Sequence, residues 1–174
     1  KERDVELIGY EALDVVEIIK TGLPMSPSFF ISSLAFDDFL TSANLVDPIM
    51  KSLSNVRPFI RQTAKEASEE IANFILTANI PTIIERPIIE SYKNMAFYDQ
   101  PVVSISPSSV IDARFVPQNA RATYNYIIGA ENLINTIKKI WFNFFSTESI
   151  EFRANGYYKG PLTIAIVVKK MIMS

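Results

Sequence analysis

The apolar positions of the first forty residues change period twice. From Ala12 onward Leu13, Val16, Ile18 and Ile19 fall close to a helical stripe. Thr21-Gly22-Leu23-Pro24 then ends the helix, because glycine accepts the left-handed cap and proline forbids continuation. An extended apolar piece runs through Ile31, and Ser32 or Ser33 opens a second helix over about 34–40. Leu45 to Leu53 reads as a short helix entered at Asp47-Pro48. A longer one spans Pro58 to Leu76, with Ile60, Ala64, Ala67, Ile71, Phe74 and Ile75 on the apolar face and Lys65, Glu66, Glu69 and Glu70 on a solvated one. Pro81 to Met95 is a further helix, entered or kinked at Pro87.

From Tyr98 the pattern shortens to the period of strands. Val102 to Ser106 predicts a strand, Pro107 to Arg121 an irregular connection, and Ala122 to Ile128 a second strand with Tyr124 and Tyr126 on one face. Gly129 leads into a core helix, Glu131 to Phe145, striped by Leu133, Ile134, Ile137, Trp141, Phe144 and Phe145. A shorter helix, Thr147 to Arg153, is capped by Ser146 or Thr147, and the Asn155-Gly156 turn leads through Tyr157, Tyr158 and Lys159-Gly160-Pro161 into a last strand, Leu162 to Met173. Helical blocks set apart from strands argue an α+β fold: one domain over 1–174, helical at about 34–95 and sheet-containing at about 98–174. Its antiparallel or mixed sheet is expected to be covered on one face.

Composition narrows the chemistry by what it lacks. The 174 residues contain no histidine and no cysteine. An imidazole base, a thiolate nucleophile and the usual zinc ligands are therefore excluded, and catalysis would rest on carboxylates, Lys, Arg, Tyr and bound metal. The five glycines are spread so that none lies between Gly22 and Gly129. A self-contained phosphate loop of the Walker or Rossmann kind is excluded with them, because such loops need glycine to bring N–H groups up to the anion. A net charge of −2 with scattered cations argues against nucleic acid. No apolar run has membrane-spanning length, so the default location is the cytoplasm. The chain opens on Lys1, which is compatible with a fragment.

Several segments then resemble, in register, the N-terminal ATP-grasp domain of the phosphoenolpyruvate synthase and pyruvate phosphate dikinase family. Thr21 to Ile31 is similar to the family's AGLPVPPGFVV, Val103 to Ser109 to VAVRSSA, and Thr123-Tyr124 to the start of TYLNV. Glu131 to Phe145 is similar to EELLEAIKRCWASLF, Ser149 to Arg153 to RAIAYR, and Val167 to Ile172 to VVQKMV. The resemblance implies the first half of an ATP-grasp unit. In that family the domain binds Mg-ATP and phosphorylates a histidine on a mobile second domain, which passes the phosphoryl group to pyruvate.

Carried over position by position, the resemblance implies that most nucleotide contacts are replaced. The family's GGKG lysine falls at Glu11, its VRSS arginine at Ser106, the glycine of its FAGQ loop near Asn119 and its VVQKM glutamine at Lys169. Only Thr123 is retained. Each position has a plainer reading. Thr123 suits a strand, Glu11 suits the positive start of a helix, and Lys169 beside Lys170 suits a solvated strand edge. Three functions remain. The chain is a degenerate lobe without triphosphate chemistry, acting as a binding or regulatory module with no cofactor of its own and inactive alone. Alternatively it is the ATP-binding half of a phosphotransferase, completed by a C-terminal half or a partner protein. The third is an unrelated α+β interaction domain. Phe29-Phe30 and Tyr157-Tyr158 are the aromatic pairs where a missing half would dock.

Overall fold

The computed structural model describes residues 2–96, 99–111, 116–157 and 163–172. The first helix, α1 (Glu2–Lys20), starts well before the stripe that predicts it and is broken at Gly9, whose φ of 77° and ψ of 174° are not helical. It ends at the expected Gly22, which takes φ 76°. The extended piece is strand β1 (Ser28–Ile31), followed by α2 (Ser33–Ser42), capped at Ser32, and α3 (Val46–Ser54). Two longer helices, α4 (Arg61–Thr77) and α5 (Thr82–Lys93), complete the helical part, and α5 passes through Pro87.

The sheet holds β1, β2 (Val103–Ser108), β3 (Tyr124–Ile127) and β4 (Ala165–Lys170) in the order β1-β4-β2-β3, every pair antiparallel. Between β3 and β4 lie α6 (Ala130–Asn143) and α7 (Thr147–Ala154). The fold is thus the α+β class expected, the N-terminal lobe of an ATP-grasp-like fold, and of the two sheet types left open it takes the antiparallel one. The Tyr158 to Pro161 connection and the expected ends of the last strand at Leu162 and Met173 lie outside the described residues.

Four details depart from the sequence reading. First, β2 continues through Pro107, which was assigned to an irregular connection. The Met171 N–H donates to the Val102 carbonyl, so the hydrogen-bonded pairs of β2 with β4 are Ser104 with Lys169 and Ser106 with Val167. Pro107 therefore turns its missing N–H toward the β3 side, where β3 no longer pairs with it. Second, Tyr124 and Tyr126 do not share an environment. A register shift between Val103 and Ile105 places an extra residue on β3, Tyr126 adopts φ 60°, and its ring is 66% exposed while Tyr124 packs on the core.

Third, the sheet is covered on both faces. Ile164, Ile166 and Val168 join the main core, so alternation turns Ala165 and Val167 to the other face, yet both are buried. α1 packs on β4 and β2 there. Fourth, α1 buries the predicted stripe only in part: Ala12 is enclosed and Leu13 and Val16 are half-buried, whereas Ile18 and Ile19, near the end of the helix, are exposed.

The main core centres on Trp141 of α6, whose ring lies 5.1 Å from Phe39 and 5.4 Å from Phe36. Tyr92 ties α5 to the sheet: its hydroxyl donates to the Pro101 carbonyl at 2.8 Å and accepts the Gly129 N–H at 2.7 Å. Among the described residues no helix is long and apolar enough to cross a membrane.

Candidate functional site

The break at Gly9 exists to let α1 touch the end of β2. A Cβ on Gly9 would collide with the backbone carbonyl and hydroxyl of Ser108. The Ser108 hydroxyl bridges the break, donating to the Ile8 carbonyl at 2.5 Å and accepting the Ala12 N–H at 3.0 Å. Tyr10 N–H donates to the Ser109 carbonyl at 2.9 Å. The segment after Gly9 begins a new helical run, and such starts leave N–H groups free to meet an anion. Here serine oxygens already take two of them.

Glu11 completes this junction. Its Oε2 accepts the Ser109 N–H at 2.6 Å, joining residues 98 positions apart in the chain. The carboxylate also stands beside the positive start of the helical run, which favours its charge by about 0.3–1 kcal/mol. Glu11 is therefore fastened to the strand end even though its side chain remains exposed.

The structure brings three of the other positions onto one part of the sheet. Ser106 is opposite Val167, and Lys169 is two residues further along β4 on the same face, about 7–8 Å away diagonally. Because Ile105 pairs with Tyr124, Thr123 comes level with Ser106 from the other side; it lies just before β3 and is exposed. Lys169 is exposed as well, and its backbone carbonyl accepts the Ser104 hydroxyl at 3.5 Å.

Asn119 stands apart. It belongs to a short 3-10 turn, Gln118–Arg121, and its Nδ2 donates to the Ser146 hydroxyl at 2.6 Å and to Glu148 Oε2 at 3.2 Å. Ser146 is the N-cap of α7, accepting the Ser149 N–H. Asn119 thus pins the turn to a helix start, and Glu148 passes the connection on to Arg61, which also pairs with Glu151.

A cavity of about 830 Å³ opens at the Lys169 end of the sheet. Its walls are largely apolar and include Met25, Pro27, Pro101, Val102 and Met171, with Lys169, Lys170 and Asp99 as charged members. The Lys170 ammonium, also at this end, donates to the Met95 carbonyl at 2.9 Å. Among the described residues no group of three or more acidic side chains could hold a metal ion.

Sequence reasoning did not single out Ser108 and Ser109, which make the junction, or Met25 and Val102 in the cavity. The one signal for the serines was a glycine at position 9 whose small size has no use in a plain helix.

Comparison with known proteins places these features in context. The family model described as pyruvate phosphate dikinase, AMP/ATP-binding domain, matches residues 5–174. A probable phosphoenolpyruvate synthase from Methanothermobacter thermautotrophicus is 27% identical over 97% of this chain and 26% of its own length. Its counterpart from Methanocaldococcus jannaschii is 27% identical over 98% of this chain and 15% of its own length. A rifampicin phosphotransferase from Bacillus cereus is 22% identical over 95% of this chain and 19% of its own length. The chain thus spans about a quarter or less of each of these relatives.

Proposed function

This chain belongs to the pyruvate phosphate dikinase AMP/ATP-binding domain family, and within that family we propose that it is a lobe without triphosphate chemistry, serving as a non-catalytic binding or regulatory module. The observation that carries this reading is the Glu11–Ser109 contact. Where the family places a lysine for phosphate, this chain holds a carboxylate, and that carboxylate is fastened to the N–H of the adjoining strand end. The residues do not fit a magnesium triphosphate. Glu11 repels it, Ser106 offers no charge in place of the arginine, and the Ser108 hydroxyl and Ser109 carbonyl occupy the amides of Ala12 and Tyr10.

Charge-assisted phosphate contacts contribute roughly 1.5–3 kcal/mol each, so the loss of two weakens binding by a factor of roughly a thousand. Isothermal titration of the chain with Mg-ATP is expected to show no saturable binding below millimolar concentration. Saturable binding below that limit refutes the proposal. The paired substitution Glu11→Lys with Ser106→Arg is expected to recover part of the affinity, provided circular dichroism shows that loss of the Ser109 contact leaves the fold intact.

A second reading is favoured by the share of the relatives that the chain spans. In it the chain is the nucleotide-side half of a phosphotransferase completed by a C-terminal half or a partner that brings acidic metal ligands. Mixing the chain with such a half and measuring ATP turnover separates the two: turnover that depends on both components favours the enzyme.

A further inference from the structure

We infer that the outer edge of β1 and the groove beside it form a docking site for an extended peptide of alternating apolar and basic residues. The inference does not rest on the fate of the nucleotide site. β1 is an edge strand, and its free side can be worked out from the ladder. Lys170 N–H donates to the Pro27 carbonyl, so the hydrogen-bonded pairs of β1 with β4 are Phe29 with Val168 and Ile31 with Ile166. Ser28 and Phe30 consequently direct their N–H and C=O groups outward. The strand carries no charge and no proline, the features that usually blunt such an edge.

Beside this edge lies a groove of about 400 Å³, within the range of roughly 300–1,000 Å³ that suits a ligand. It is bordered by β1 at Phe29 and Phe30. Its walls are Leu34 and Asp38 of α2 and Ile83 and Pro87 of α5, with Leu34 53% and Ile83 82% exposed. An edge strand running beside a helix is the arrangement by which a peptide adds to a sheet, its backbone pairing with the edge while alternate side chains enter the groove.

Charge selects the occupant. Asp38 is the charged residue of the groove lining and is exposed. A peptide carrying lysine on its outer positions meets this carboxylate favourably. A second copy of the chain, paired β1 to β1, would bring a second Asp38 to the groove and be disfavoured.

The test uses an eight-residue fluorescent peptide of alternating valine and lysine, titrated into the chain by anisotropy, with a valine–glutamate peptide as comparison. The lysine peptide is expected to saturate and to bind at least about tenfold more tightly than the glutamate one. Phe30→Pro removes an outward N–H together with a ring that lines the groove, without touching the β4 ladder, and is expected to weaken binding at least about tenfold; N-methylation of the peptide isolates the hydrogen-bond share. Ile83→Asp is expected to do the same through the groove, and Asp38→Lys to reverse the preference between peptides. Should Phe30→Pro not fold, N-methylation of the peptide residues that face β1 removes the same hydrogen bonds from the other side. Equal affinity for the two peptides, or indifference to both Phe30→Pro and N-methylation, overturns the proposal. Sedimentation showing a dimer that Ile83→Asp dissolves also overturns it, in favour of a second copy.

Discussion

The replacement Gly9→Ala puts the junction between α1 and β2 to a quantitative test. With φ 77° and ψ 174°, Gly9 occupies a backbone region that is essentially restricted to glycine, and a side chain there costs about 1–3 kcal/mol in strain alone. The added methyl would also meet the Ser108 carbonyl, a backbone atom that cannot rotate away. Relief requires α1 to lift from β2. That motion breaks Tyr10 to Ser109, Ala12 to Ser108, Ser108 to Ile8 and Glu11 to Ser109, three neutral bonds of about 0.5–1.5 kcal/mol and one charged bond of about 1.5–3 kcal/mol. Because strain and opening relieve one another, the total falls at about 3–5 kcal/mol, or a melting point lower by roughly 6–20 °C. Gly22→Ala is the control: its φ is 76°, but nothing lies within 4 Å of the added methyl, so it meets backbone strain alone, about 1–2 kcal/mol. Urea denaturation compares the two through their midpoints at unchanged slope. Losses that agree to within about 0.5 kcal/mol would refute the close approach of α1 and β2.

Burial raises the Asp37 carboxyl above its ordinary 3.8, with the Thr163 hydroxyl opposing the shift and Asp38 adding to it. A carboxyl raised on folding supports the fold fully below its unfolded pKa and loses that support as pH rises through the folded value, so Asp37→Asn should stabilise the chain near neutral pH and be neutral at about pH 3. Melting curves at the two pH values check the sign. Ser146→Ala removes the cap of α7 and the acceptor of Asn119, and is expected to cost about 1–3 kcal/mol in urea midpoint analysis. Trp141→Ala should cost about 3–5 kcal/mol by emptying the space between Phe36 and Phe39. Trp141→Phe should cost clearly less, since among the described residues the buried indole N–H has no partner to lose; calorimetry of both variants tests the ordering.

Much of the fold can be read from local pattern because its elements obey local rules. Gly22 followed by Pro24 ends α1 as expected, Ser146 caps α7, and the wide aromatic stripe of α6 is indeed the centre of the core. The departures arise where a distant partner overrides the local signal. Pro107 is allowed in a strand only because β3 stops short of it, a fact carried by the length of another segment. Ile18 and Ile19 lie on a helical stripe but are exposed near the end of α1. The same holds for the candidate site. Thr123, Ser106 and Lys169 could be aligned as matching positions, and the strand pairing does set them on neighbouring strands. What Glu11 does could not be foreseen, since its partner is 98 residues away and is a backbone N–H that no side-chain pattern reveals.

The Glu11 contact also changes how the replaced residues bear on one another. If Glu11 merely faced solvent, each substitution at the nucleotide side would be an independent loss, and restoring any one cation would restore its own share of affinity. Fastened to Ser109, Glu11 instead supports the junction that closes the start of the α1 run, along with Ser108 and Tyr10. A lysine at position 11 removes repulsion and support together, so its benefit to an anion is offset by a looser strand end. Ser106→Arg, at a half-buried position opposite Val167, breaks no contact of that junction. Glu11→Lys should therefore lower stability while Ser106→Arg leaves the junction unchanged, a difference that urea midpoints of the two single variants resolve. Equal midpoints for Glu11→Lys and the parent chain would mean that the Glu11 contact contributes nothing to the junction.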